Sequence, residues 1–151
     1  MAEYPERLAK LLGQLRLLPD RSERIQWLVD VSDRFRSVPE RIAVRPFPTS
    51  HQTPACESEA YVWAEPQPDG TLRFWFAVEN PQGVSAKSLA VILDETLSGT
   101  PPEQIAAMPS DFVDEIFGRE LSMGKNMGLR GMIAMVQNSA RSFLAKGLKS
   151  S

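Results

Sequence analysis

The sequence predicts an α+β fold: a small antiparallel sheet, one hairpin with or without a third strand, and helices packed against it. Three observations carry that expectation. The segments "EAYVWAE" and "TLRFWFAVE" have the β-branched and aromatic composition of strands. They flank "PQPDG", a turn sequence, at the separation a hairpin requires. Before and after them, leucines and other apolar residues recur at helical rather than strand spacing.

Taken in order, "YPERLAKLLGQLRLLPD" places Leu8, Leu11, Leu12, Leu15 and Leu18 on one helical face, with Pro5 tolerated in a first turn. Pro19 and Asp20 interrupt it, and Asp20 or Ser22 can cap a second helix carrying Ile25, Leu28, Val29, Val31 and Phe35. These read as two short antiparallel helices. From Val38 to Ala55, four prolines mixed with Ser, Thr and His predict an extended loop that leads to Cys56. In the second strand Leu72, Phe74 and Phe76 share one face. "SAKSLAVILDETLSG" follows as a helix with Ser85 as cap and Gly99 as stop. Thr100 and Ser110 then sit where caps of two short helices belong, with Glu103 in capping-box position and Gly118 as the second stop. "LSMGKNMG" reads as a Gly-punctuated lead-in to a C-terminal helix whose buried face holds Leu129, Met132, Ile133, Val136 and Phe143.

At 151 residues, with 42% hydrophobic and 24% charged residues, the whole chain 1–151 reads as one globular domain. A net charge of −2 and the absence of a basic stripe argue against nucleic-acid binding. The longest apolar runs, such as "LAVIL", are too short to span a bilayer. A start that is charged from its third residue lacks an apolar signal segment, so the expected compartment is the cytoplasm, where a lone thiol stays reduced.

Chemistry narrows quickly. One Cys and one His supply two of the four ligands a zinc site wants, and "GLRG" and "MGKNMG" lack the spacing of a phosphate loop. Asp94-Glu95 and Asp114-Glu115 read as solvated helix faces, and Trp27, Trp63 and Trp75 as core. His51 precedes Cys56 by five residues, a spacing that permits a Cys-His pair without requiring one. That leaves Cys56 either as a small buried hydrophobe or as a nucleophile. Its neighbours Pro54, Ala55, Glu57, Ser58 and Glu59 have no apolar periodicity, which suits a loop tip better than a core position.

The order of these elements resembles the SufE/CsdE family, sulfur acceptors for cysteine desulfurases in iron–sulfur cluster assembly, with a SufE/IscU-like fold. Around its thiol that family has approximately V-x-G-C-x-S-x-V-W. Here "TPACESEAY" agrees at Cys56 and Ser58, with Ala60 and Tyr61 in the last two places. "AKSLAVIL" is similar to its V-K-G-L-I-A-V-L helix, "TPPEQI" to its T-P-x-x-I, and "LSMGKNMGLRGMI" to its L-S-P-S-R-x-x-G-L-x-x-M-I. The resemblance runs from about Leu8 to Phe143. It departs at Ala55, where the family has Gly, at His51, where Asn is common, and at Lys125, where Arg is frequent. "NPQGVSA" also replaces a shorter S-D-A.

The resemblance implies a covalent persulfide carrier on Cys56 that stimulates a cysteine desulfurase (SufS/CsdA-like) and passes sulfur to a downstream cluster scaffold. Ser58, His51 and Lys125 would support the loop or contact the partner. The carrier would use no cofactor of its own, the pyridoxal phosphate belonging to the desulfurase, and would show no independent turnover. An apolar cavity lined by Ala60, Val62 and the Leu72, Phe74 and Phe76 face would shelter the loaded sulfur. Two other classes stay open. A non-catalytic interaction module regulating a desulfurase would survive loss of Cys56, and a Cys-dependent enzyme with its own small substrate would turn over alone.

Overall fold

The computed structural model describes residues 3–18, 20–54, 59–118 and 123–150, the side chains of 123 and 148–150 excepted. Two helices come first, α1 (Glu6–Leu15) and α2 (Arg21–Ser32), followed by a long loop with a single 3-10 turn at Thr49–His51. Then come β1 (Ala60–Pro66), β2 (Leu72–Val78), α3 (Val84–Leu97), α4 (Pro102–Ala107), α5 (Phe112–Phe117) and the long α6 (Met123–Ser150). The fold is α+β, as its sequence predicts.

The hairpin pairs Ala60 with Val78 through Pro66 with Leu72. Its turn closes because Gly70 takes φ +85, and the Asp69 carboxylate accepts from both the backbone N–H and the hydroxyl of Thr71. Alternation then separates two faces. Ala60, Val62, Leu72, Phe74, Phe76 and Val78 enter the main core with α1, α3, α4, α5 and α6. Tyr61, Trp63 and Ala77 form a smaller cluster on the other face, covered by Val38, Ile42, Ala43 and Phe47 of the long loop.

Among the described residues there is no third strand. The outer edge of β1 is lined by the chain at 51–53, through an isolated bridge of Gln52 with Tyr61 and a hydrogen bond from Thr53 N–H to Ala60 O of 2.7 Å. Val38 N–H bonds Phe76 O, 2.8 Å, on the outer edge of β2. Prolines at 39, 46, 48 and 54 lack the N–H groups that a continuous ladder needs.

α3 is the centre of the helical layer: α1 and α2 both pack on it, it covers β2, and nine of its residues are buried. The guanidinium of Arg7 on α1 donates to the carbonyls of Glu95 and Ser98 and to Thr100 Oγ1, placing a cation on the orphan acceptors at the C-terminus of α3. Thr100 is thereby consumed. It bonds Thr96 O and Arg7 rather than capping α4, whose N-cap is Pro101. Ser85 lies inside α3 and the N-cap of α5 is Asp111, so neither Ser85 nor Ser110 caps as their positions suggest. Asp20 does cap α2, accepting from Ser22 N–H. Ile25, placed by spacing on the apolar face of α2, is 53% exposed, and Phe35 lies beyond the helix end at Ser32.

The acidic pairs stay at the surface, Glu95 exposed, and also make ion pairs and hydrogen bonds across the helices. Glu95 pairs with Arg34, Glu115 with Arg16, and Asp114 with Arg130 of α6, while Asp94 accepts from Ser98 Oγ. α6 is helical from Met123, so the glycines of "MGKNMG" lie within the helix and not in a lead-in. Gln137 of α6, itself buried, donates to the carbonyls of Ile105 and Met108 and fastens the end of α4.

Candidate functional site

Residues 55–58, and with them the expected site residues Cys56 and Ser58 and the departure at Ala55, lie outside the described residues. The structure does define the ground on either side of them. On the N-terminal side, Thr53 is buried and bonded to β1, and Pro54 crosses α6 at Gly131. A methyl group at Gly131 would lie 3.1 Å from Pro54 O and 3.1 Å from Thr53 Cγ2, so glycine is what lets the chain cross the helix this closely. On the C-terminal side, Glu59 O accepts from Glu79 N–H at 3.2 Å, with Glu59 at φ +48. The Glu79 carboxylate is in turn held by Arg45 at 2.8–3.0 Å. Both ends of the thiol segment are therefore pinned, one to α6 and β1, the other to β2.

His51 sits in the 3-10 turn beside β1. Its Nδ1 is 2.9 Å from Val62 O, and its ring stacks on Trp63 at 5.3 Å between centroids. A carbonyl only accepts, so Nδ1–H is the donor in this contact. His51 thus satisfies a carbonyl on the outer edge of β1.

Lys125 lies elsewhere, exposed on the first turn of α6. It borders a cavity of about 280 Å³ between the N-termini of α3 and α6, together with Asn80, Gln82, Val84 and Leu129. Val84 on that border and Met127, two residues on from Lys125, are both exposed apolar side chains. His51 and Lys125 line different cavities, and the structure does not bring them together.

The apolar cavity expected at the strand face is a filled core instead. Ala60, Phe74 and Phe76 are buried there against helices, with no more than 3% of their surface exposed. Val62 and Leu72 also reach a groove of about 450 Å³ between β1 and α6, which they share with His51, Met135 and Phe143, and Phe74 and Phe76 border a separate one of about 200 Å³ with Phe35 and Ala90. Among the described residues no group of three acidic or imidazole side chains is disposed to hold a metal ion, and no helix is long and apolar enough to cross a membrane.

Among the described residues, six α-helices around a two-stranded antiparallel sheet, with the flanks of the thiol segment held against α6 and the hairpin, define a small α+β domain of a kind seen in another protein. A solution structure of a hypothetical protein from Thermus thermophilus superposes with a TM-score of 0.75 at 23% identity, covering 94% of this chain and 98% of that one. Residues 9–140 match the family model SufE, the Fe-S metabolism associated domain, and the chain belongs to that family. No curated protein matches it.

Two residues of the site, Thr53 and Gly131, are not singled out by sequence reasoning. Gly131 carries a legible signal: it is a helix-disfavouring residue amid the buried positions Leu129, Met132 and Ile133, where only close approach of another backbone justifies it. Thr53 carries none, since in an irregular loop a threonine looks like any other polar residue.

Proposed function

We propose that this protein is a sulfur carrier that takes persulfide sulfur from a cysteine desulfurase onto Cys56, stimulates that enzyme, and hands the sulfur on for iron–sulfur cluster assembly. Membership of a family associated with Fe-S metabolism supports the setting. The observation that carries the reading is the sole cysteine of the chain, placed in a four-residue stretch whose two flanks are anchored to α6 and the hairpin. Covalent reach alone keeps its Cα within about 8 Å of that of Pro54.

The transfer is a thiol exchange. The Cys56 thiolate attacks the terminal sulfur of the desulfurase persulfide, and a new S–S bond forms to Cys56. The old S–S bond breaks, and its electron pair leaves on the desulfurase cysteine sulfur as thiolate. No net oxidation occurs, and a single thiol suffices because a second would resolve the persulfide to a disulfide. Lys125 and the apolar pair Val84 and Met127 contact the partner, in a cytoplasmic setting, while His51 steadies the loop through Val62.

The test is intact mass after incubation with a desulfurase and cysteine, with and without reductant. A reductant-labile gain of about one sulfur atom, absent in Cys56→Ser, is expected. Desulfurase stimulation that survives Cys56→Ser would instead establish a non-covalent regulator, and turnover of a small substrate with no desulfurase present would establish an independent enzyme.

A further inference from the structure

The outer edge of β1 is covered over only part of its length. Phe74 N–H donates to Ser98 Oγ and Phe76 O accepts from Val38 N–H, both away from β1. The register pairs Ala64 with Phe74 and Val62 with Phe76, so the even-numbered residues of both strands turn their backbone groups outward. On β1 these are Ala60, Val62, Ala64 and Pro66. Thr53 N–H donates to Ala60 O, and His51 Nδ1–H to Val62 O. At the 3-10 turn Thr49–His51 the covering chain leaves the edge. The N–H and C=O of the next outward residue, Ala64, have no hydrogen-bond partner among the described residues. Edge groups left in this way are a template for another strand.

Beside that open step lies the groove of about 450 Å³ between β1 and α6. Met135, Asn138, Ser139, Ser142, Phe143 and Lys146 recur every three or four residues, so they form one stripe along α6 beside the edge. Val62, Leu72, Met135 and Phe143 make the floor apolar, and Asn138 and Ser142 are exposed on the rim. Lys146 brings a positive charge to the groove, and among the described residues no carboxylate lines it. We propose that this edge and groove form a docking slot for an extended segment of a partner protein, added antiparallel to β1 as a third strand. The segment carries an apolar residue opposite Ala64 and an acidic residue toward Lys146. Directly opposed residues of antiparallel strands share a face, and Ala64 packs on the main-core side of the sheet. The residue that exchanges both hydrogen bonds with Ala64 therefore drops its side chain into the groove. Main-chain bonds at such an edge supply affinity, and the pocket beside it supplies selectivity. The slot stands independently of the carrier reading.

The test selects random hexapeptides displayed on phage against the full chain. The enriched sequence, synthesised and capped at both ends, is then titrated into the protein. It should pair an apolar residue with a nearby acidic one, and on binding should slow exchange of the Ala64 amide about tenfold or more. Ala64→Pro removes an outward N–H that makes no bond to β2, a change an edge strand tolerates, and should weaken the peptide about tenfold. Lys146→Glu should weaken it several-fold, an effect that added salt reduces. Should Ala64→Pro not fold, the peptide itself is N-methylated at each position in turn. Methylation at one position, but not at the two beside it, should then cost about tenfold, because neighbouring N–H groups of a strand point to opposite edges. Failure to enrich any peptide, a bound peptide that leaves the Ala64 amide unprotected, or undiminished binding to Ala64→Pro overturns the proposal. So does Ala64 protection that rises with protein concentration in the absence of peptide, which would assign the edge to a second copy of this chain.

Discussion

Gly131→Ala sets two opposing magnitudes against each other at the base of the thiol segment. Within a helix, alanine is favoured over glycine by about 1 kcal/mol, so propensity alone predicts a more stable protein. The added methyl, however, would stand 3.1 Å from Pro54 O and from Thr53 Cγ2, and both must retreat by a few tenths of an ångström. Thr53 is buried and tied to Ala60 by a 2.7 Å hydrogen bond, so the movement passes to Pro54 and into the residues that follow. Overpacking of this kind costs about 1–3 kcal/mol, which cancels or exceeds the helical gain. The expected result is a net change between zero and about 2 kcal/mol of destabilisation by urea melts, accompanied by a several-fold change in Cys56 alkylation rate. Gly13→Ala on α1 is the control, because a methyl there meets nothing within 4 Å. It should gain up to about 1 kcal/mol and leave the thiol untouched. If Gly131→Ala is stabilised as much as Gly13→Ala, with unaltered thiol reactivity, the anchoring argument is wrong.

Three further outcomes are expected. Phe74→Ala, at a position 1% exposed between β2 and the helices, should lose about 3–5 kcal/mol in chemical denaturation, since the core cannot collapse onto a void of that size. Gln137→Leu leaves the carbonyls of Ile105 and Met108 without their buried donor and should cost roughly 2–5 kcal/mol, with exchange of amides in α4 accelerating first. Glu65 is held to a pKa of about 2, chiefly by hydrogen bonds from Arg41 and then from Trp75 Nε1, against an ordinary value of 4.5. A depressed carboxylate pKa gives stability that is complete above pH 4.5 and is lost as pH falls toward 2. Melts followed through Trp fluorescence should therefore show a shallower acid limb in Glu65→Gln than in wild type across that window.

The hairpin, the apolar core of α3 and the buried face of α6 were legible because period-two and helical patterns translate directly into faces. Leu72, Phe74 and Phe76 share one side of the sheet, and Leu129, Met132, Ile133 and Val136 are buried together. What escaped was decided by partners distant in sequence. Thr100 has the look of a cap, yet a guanidinium 93 residues away uses its oxygen. The glycines at the start of α6 look like breakers, yet helix packing overrides their propensity, and Gly131 is put to use as a crossing point for the loop. Asp114 and Glu115 sit at the surface of α5, and the sequence does not show that Arg130 of α6 and Arg16, just past the end of α1, pair with them. Of the site, His51 stands out in the sequence as the only histidine, but nothing in the sequence shows that its ring meets Val62 O. Nor does the sequence show Thr53 as buried, which can be recognised only once every neighbour has been placed.

A sheet of two strands has nothing but edges, and an edge is an invitation to self-association. In this protein the margin of β1 is occupied by the turn and extended residues around His51, Gln52 and Thr53, and that of β2 is met by Val38. The long proline-containing loop is therefore also a guard. Proline cannot extend a ladder, so the covering chain shields the hairpin without offering a fresh template to a second molecule. A hairpin left bare at both margins would recruit copies of itself.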